Sequence, residues 1–417
     1  MVTNIIIACN HCGTTFRLRW QVEDYKAPVL LRCPKCNSKI RGLLQTGENL
    51  TLSGSFNNAH IVKDTTEADY VQEISAEFIT HKLKEANQFT DFTTPFIRSN
   101  IYDHEGVIRY LRFIDLYPNE AENVHDLLKA KSTSYLKEKL RDEKNQYIVS
   151  CKQAIKKYCL NSEVDLLMAS HQYIMVMLLG SGVDRSAAGV MDDLVELTKQ
   201  NLDQVKEFSK IMDTHGYYES LNTKFPALVE LYNRNYLSLV STLMLDDEQV
   251  DLEEWGLSSV DYEDLLELYR KCYEFIGEFI IYIIGLNNIY ERGGYNEFSN
   301  GASDIEDKVK PQTKYNRIQS FVKENEKFSV GYCDTLNKII RNAEAHFDVE
   351  YDIFTQKIKF INHGKKNTDI EEMYLLQFAK ESIKVFNLAV KLWEIAYQLQ
   401  KNRMICDLHM EWNYGRP

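Results

Sequence analysis

Four cysteines in two pairs, Cys9-Asn10-His11-Cys12 and Cys33-Pro34-Lys35-Cys36, constrain this chain more than any other feature. Two thiolates three residues apart reach one ion only if the backbone doubles back in a tight knuckle. Gly13 and Asn37, one residue after each pair, are residue types that supply the left-handed conformation such a turn favours. Twenty residues separate the pairs, at the edge of the spacing that brings two knuckles onto one metal. Four thiolates close a tetrahedral shell with no position left for water, so the expected ion is one structural Zn2+ held by Cys9, Cys12, Cys33 and Cys36. His11 is then a bystander inside the first knuckle. Cys151, Cys159, Cys272, Cys333 and Cys406 lack ligand spacing and read as core or surface thiols.

The segment Ile7–Arg17 resembles the short zinc ribbons at the N-termini of many bacterial proteins, a likeness confined to about the first 45 residues. Within residues 1–42, Arg17, Arg19, Lys26, Arg32, Lys35, Lys39 and Arg41 face only Glu23 and Asp24. That leaves +5 locally and, from −12 overall, −17 for the rest, so any contact with nucleic acid must be local. Such ribbons bind nucleic acid, dock protein or brace a terminus, and the basic stretches Phe16–Trp20 and Val29–Arg32 lean towards nucleic acid over bracing. A DNA-binding regulator acting through the ribbon is the reading that the acidic remainder opposes most.

A chain of 417 residues exceeds one ordinary core, and 44% apolar content with few Pro and Gly fits an ordered, mainly α protein. Ile5-Ile6-Ile7 has no basic flank and is too short for a signal segment, and the apolar run Phe275–Leu286 is short and interrupted by Glu278. A cytoplasmic protein without membrane contact is expected, in which paired cysteines bind metal rather than form disulfides.

The pattern predicts a β zinc ribbon over 1–45, a polar hairpin or linker over 43–60, a helical middle region over 60–220 with a sensory or regulatory role, and a C-terminal helical domain over 225–405. Helical periodicity covers 66–88, 133–160, 164–179, 187–213, 225–245 and 261–290, with breaks at Gly180-Ser181-Gly182, His215-Gly216 and Asp246–Gly256. Gly293-Gly294, Asn300-Gly301 and Pro311 mark 292–312 as a mobile loop. A helix over 328–348, a hairpin of Val349–Phe354 and Lys357–Asn362, and a final helix over 370–402 follow. The last carries an apolar stripe through Leu375, Phe378, Ile383, Phe386, Val390, Trp393 and Tyr397.

Chemistry concentrates in Arg341-Asn342-Ala343-Glu344-Ala345-His346. At 100° per residue, Tyr332, Leu336, Ile339, Ile340, Ala343 and Phe347 form one stripe, and Asp334, Lys338, Arg341, Asn342, Ala345 and His346 lie opposite. Asn342 and His346 are four apart, so the amide is placed to orient the imidazole. Arginine is a permanent cation shaped for phosphate, and histidine exchanges protons near neutral pH. A lone R-x4-H of this kind is usually a solvated helix face. The small Ala345 at the centre lets a second backbone approach closely.

The C-terminal third, about 225–403, resembles the HEPN family of nucleotide-binding and ribonuclease domains, whose signature is R-x4-6-H on the penultimate helix with a polar residue after the arginine. The resemblance implies a helical HEPN-like bundle with a short β-hairpin. It also implies a homodimer through the Arg341–His346 helix and a composite active site for RNA. His346 would be the general acid/base, Arg341 would stabilise charge on the scissile phosphate, and Asn342 would contact it. The RNA 2′-hydroxyl would attack, so catalysis needs no metal. One branch of the family carries a tyrosine two residues after the histidine, where this chain has Asp348. Family members commonly act as toxins or abortive-infection effectors against phage, answering to a protein partner, inhibitor or phage trigger. The competing reading is a non-catalytic adaptor that binds a nucleotide or partner through the same face.

Other polar groups read as structural. His104-Glu105 lacks a second histidine at i+4 and fits a surface turn. The acids Asp246, Asp247, Glu248, Asp251, Glu253 and Glu254 lack an EF-hand pattern. His171 lies among Leu167, Met168, Ile174 and Met175 as a core-edge histidine, and His363-Gly364-Lys365-Lys366 is a hairpin turn with charge enough to follow an RNA backbone.

Overall fold

Alternating apolar residues at the N-terminus pair as two hairpins, β1 (Val2–Cys9) with β2 (Thr15–Gln21) and β3 (Ala27–Arg32) with β4 (Lys39–Thr46). The computed structural model describes residues 2–22, 26–47, 51–63, 67–95, 116–130, 132–141, 160–183, 186–243, 245, 250–346, 348–363 and 368–413, without the side chains of 116, 118–119, 141, 186–188 and 344–346. The chain divides into two compact units. One comprises Met1–Ile114, Asn233–Leu268 and Ile339–Ser382; the other comprises Asp115–Tyr232, Tyr269–Lys338 and Ile383–Pro417.

In the first unit, β5 (Leu52–Asn57) extends the second hairpin into a three-stranded sheet, β3-β4-β5, pairing with β4 from Arg41↔Asn57 to Thr46↔Leu52 as the hairpin alternative expects. A five-stranded sheet has the order β6-β1-β2-β7-β9, with β6 at Ala59–Ile61, β7 at Tyr70–Ile74 and β9 at Lys84–Glu85. Ile7, Phe16, Leu18, Trp20, Val29, Ile40, Leu44 and Ile74 are completely buried in one core shared by both sheets. The helix expected over 66–88 is absent, because β7 pairs parallel to β2 from Phe16↔Tyr70 to Trp20↔Ile74. Both faces of that strand are buried, which erases the period-two alternation that marks a half-exposed strand. β8 (Thr80–His81) pairs with Trp255–Gly256.

The C-terminal part of this unit is the helix Lys338–His346 followed by a three-stranded antiparallel sheet of Val349–Tyr351, Lys357–His363 and Thr368–Tyr374. The third strand replaces the predicted start of the final helix, which runs instead over Leu375–Asn402. Thr368 and Ile370 suit the pleat, and residues 368–372 alternate exposed and half-buried against the middle strand. Gln356, at φ 53°, turns the chain between the first two strands. Its amide accepts from the Leu257 N–H (3.0 Å) and donates to the Leu257 carbonyl (2.8 Å), a side chain acting as one rung of a ladder.

The second unit is helical. Leu116–Lys129 and Thr133–Arg141 pack on Glu163–Gly180, which Ser162 caps by accepting from the Asp165 N–H. The pattern expected over 187–213 splits at Asn201 into Ser186–Gln200 and Leu202–Thr214, and that over 261–290 splits into Tyr262–Phe279 and Ile281–Arg292. Tyr217–Leu243 is a helix of 27 residues, whose part up to Tyr232 belongs to this unit. All seven predicted stripe residues of the final helix are buried. Within this unit Phe386 stacks on Tyr232 (centroids 4.1 Å) and Trp393 on Phe225 (4.8 Å). The 292–312 segment is ordered: Gly293 ends a helix at φ 82°, Glu297–Phe298 pairs with Gly301–Ala302, and Asp304 caps the short helix Ile305–Val309.

The helix expected over 328–348 is broken. Tyr332–Thr335 is one turn, Leu336 leaves helical geometry at ψ 80°, and Lys338–His346 begins anew. The buried Tyr269 hydroxyl sits in the gap, donating to the Thr335 carbonyl (2.8 Å) and accepting from the Asn337 N–H (2.7 Å). A side chain inserted into the backbone ladder kinks a helix, which single-helix periodicity does not anticipate. The helix over 133–160 is described only to Arg141. Cys151, Cys159, His104-Glu105, Asp246-Asp247-Glu248, Phe347 and Gly364-Lys365-Lys366 lie outside the described residues.

Candidate functional site

The four predicted cysteines converge. Their Sγ atoms all lie within 4.8 Å of one another, and the cluster could hold a metal ion such as zinc. Cys9 and Cys36 are 3.7 Å apart, Cys12 and Cys33 3.5 Å. Thiolates bonded at about 2.3 Å to a tetrahedral ion lie about 3.8 Å from each other, so the spacing fits the ion with little rearrangement.

Each pair sits on the predicted knuckle. Gly13 (φ 76°) and Asn37 (φ 58°) are both left-handed. Their N–H groups donate to the carbonyls of Cys9 (2.9 Å) and Cys33 (2.7 Å). The two turns are near copies: Cys12 Sγ is 3.1 Å from the Thr14 hydroxyl, and Cys36 Sγ is 3.2 Å from that of Ser38. The Thr14 hydroxyl and N–H bring the Cys12 thiol down to about 6, and the Ser38 hydroxyl lowers Cys36. Burial pushes Cys33 up to about 12, the effect of a thiolate that needs a cation to be stable. Thr14 and Ser38 were not singled out in the sequence, although C-x-x-C followed by Gly/Asn and Thr/Ser occurs at both pairs. His11 is exposed and outside the cluster.

The basic surplus of the ribbon turns out to be largely internal. Arg19 is buried and paired with the fully buried Glu73 (2.5 Å), which also accepts from the N–H and Nδ1 of His81. Asp261, Glu263 and Asp264 cluster at the N-terminus of the helix Tyr262–Phe279. Arg32 meets Asp261 (3.2 Å) and Glu263 (2.6 Å), Lys39 meets the same two (2.8 and 3.1 Å), and Arg41 meets Asp264 (2.9 Å). Arg32 also lies over the Tyr262 ring. Burial opposes ionisation of Glu263, yet the hydrogen bonds from Arg32 and Lys39 hold it below the ordinary carboxylate range. Four of the seven cations that suggested nucleic acid are therefore neutralised by carboxylates of the same unit, the arrangement of a brace.

On the helix Lys338–His346, Ile340 and Ala343 are buried as the wheel predicts, and Arg341 and Asn342 are half-buried. Arg341 Nη1 donates to Asn342 Oδ1 (3.0 Å), and Asn342 Nδ2 donates to Asn362 Oδ1 (3.2 Å) on the middle strand of the following sheet. Asn342 thus has an anchor that sequence spacing did not suggest. The Asp348 N–H closes the helix on the Ala343 carbonyl (3.0 Å), and its own carbonyl accepts from Ile361 (2.9 Å). His346 is the last residue of the helix, five positions beyond Arg341, about 7.5 Å along the axis. Its side chain, and that of Ala345, lie outside the described residues. His363 stands 3.9 Å from Asp348 and 3.3 Å from the Thr368 hydroxyl.

His171 is nearly buried, bonded to Glu394 (2.5 Å) and stacked on Tyr397. Burial lowers its pKa, in keeping with a packed histidine. Among the described residues no helix is long and apolar enough to cross a membrane. No protein-family model, curated protein or solved structure matches this chain.

Proposed function

We propose that this chain is a metal-independent endoribonuclease of HEPN type, braced at its N-terminus by one structural Zn2+ on Cys9, Cys12, Cys33 and Cys36. The observation that carries the reading is the half-buried Arg341–Asn342 pair on Lys338–His346, tied to Asn362, with the sheet and the long final helix following in the order expected of that family. A preset guanidinium beside an amide suits a phosphodiester, whose charge rises as the bond breaks. His346, one and a half turns along, would take the proton of the RNA 2′-hydroxyl and return one to the leaving 5′-oxygen. The products would be a 2′,3′-cyclic phosphate and a 5′-hydroxyl. Two copies of the helix in a homodimer would complete the site, and the cytoplasmic role would be that of a toxin or an anti-phage effector under an inhibitor or trigger.

The Arg341–Asn342 pair also supports a second reading, because a guanidinium held beside an amide can bind an anion with no bond cleavage following. That reading is a non-catalytic nucleotide- or partner-binding adaptor. Incubation of purified protein with total RNA in EDTA separates the two. Wild type should generate cyclic-phosphate ends, and Arg341→Ala or His346→Ala should each slow cleavage about a hundredfold or more. Retained RNA binding without cleavage establishes the adaptor.

A further inference from the structure

A cavity of about 270 Å3 opens in the helical unit, between the helices Ser186–Gln200 and Leu202–Thr214, the end of the final helix and the turn Arg403–Asp407. Its floor, with Leu194 and Val205, is buried. Its wall leaves Met191, Val195 and Leu202 exposed at 44%, 42% and 47%. These are three of the eleven exposed large hydrophobics among the described residues, and they gather on one concavity rather than scattering singly.

The polar lining is one-sided. Lys199, Lys206, Lys401 and Arg403 face the cavity against a single carboxylate, Asp407, in a chain whose net charge is −12. Asp407 is taken by Lys206 (3.3 Å), and Arg403 is turned to Asp213 (2.7 Å). Among the described residues, Lys199 and Lys401 meet no carboxylate at ion-pair distance. Lys401 is half-buried, bonded only to the neutral Gln398 amide and lying over the Tyr397 ring. Burial draws its pKa down, although the charge of Glu394 pulls the other way.

We propose that this cavity binds a small amphipathic anion, with an apolar tail against Leu194, Val205 and Leu202 and an anionic head on Lys199 and Lys401. The volume approaches twice the ~150 Å3 that accommodates benzene, which sets the tail at about six to ten carbons. Apolar walls with a few convergent polar groups are the usual make-up of a small-molecule site. The site is independent of any cleavage of RNA.

Titration calorimetry on the full, metal-loaded chain tests it with four probes sharing one tail: octanoate, octyl phosphate, octanol and octylammonium. At least one anion should bind about tenfold or more tighter than octylammonium. The better anion identifies the head group. Lys401→Gln should weaken that anion about tenfold, and Leu202→Glu, at an exposed wall position that leaves the melting temperature unchanged, should abolish binding. Equal affinity for anion and cation overturns the proposal, as does binding indifferent to both substitutions. Absence of anion binding combined with self-association lost in Leu202→Glu assigns the face to a subunit interface and overturns it equally.

Discussion

Hydroxyls beside cysteine sulfurs are the residue-scale detail that most shapes the four-cysteine cluster. Thr14 and Ser38 occupy the same place in two knuckles, each within 3.2 Å of a cysteine sulfur. Outer partners of this kind tune metal affinity without changing ligand number. Thr14→Val and Ser38→Ala together should weaken zinc about 10–100-fold in chelator competition while leaving one ion per chain. Cys33→Ser, by contrast, should remove the ion altogether, as read by elemental analysis. Arg19 and Glu73 form the other residue-scale dependency. Both are buried, so Arg19→Met removes the cation paired with a buried carboxylate and should cost about 3 kcal/mol in denaturant unfolding. Unchanged stability would contradict that dependency.

At the scale of elements, legibility followed whether the determining contact was local. The knuckles were readable because Gly13 and Asn37 settle a turn within six residues, and both adopt the left-handed geometry. The stripe of the final helix was readable because its period is internal to the helix. Strand β7 was not, since its parallel partner lies 54 residues away and its buried Glu73 is met by Arg19 from that partner. The break after Thr335 was hidden for the same reason: Tyr269, from another helix, supplies the hydrogen bonds. At the candidate catalytic helix, the burial of Ile340 and Ala343 was legible; Ile339, placed on the core face, is half-buried like Arg341 and Asn342, and the anchor Asn362 was not legible. Gln356 offers an element-scale test. Gln356→Glu removes the donor to the Leu257 carbonyl and should cost about 1–3 kcal/mol. A pH test belongs to the helical unit. Burial depresses the His171 pKa in the folded state, so its contribution is fully present above the unfolded value near 6.5 and is lost as pH falls toward the folded value. Thermal melts of wild type should therefore lose stability below about pH 6.5 more steeply than those of His171→Phe.

For the whole molecule, the ribbon reads as a brace. Three of its cations, Arg32, Lys39 and Arg41, close on the acidic start of Tyr262–Phe279, and Lys338–His346 is the element proposed to meet RNA. Under the proposed function, zinc would support the fold, and the chemistry would run on Arg341, Asn342 and His346. The most direct test is cleavage of total RNA by the zinc-loaded chain in EDTA for a time too short to strip the buried ion, followed by mapping of the ends. The account predicts 2′,3′-cyclic phosphate ends from wild type, loss with Arg341→Ala and with His346→Ala, and partial recovery when the two inactive variants are mixed as dimers. Intact RNA from a verified dimer, or cleavage that persists in both variants, would contradict it.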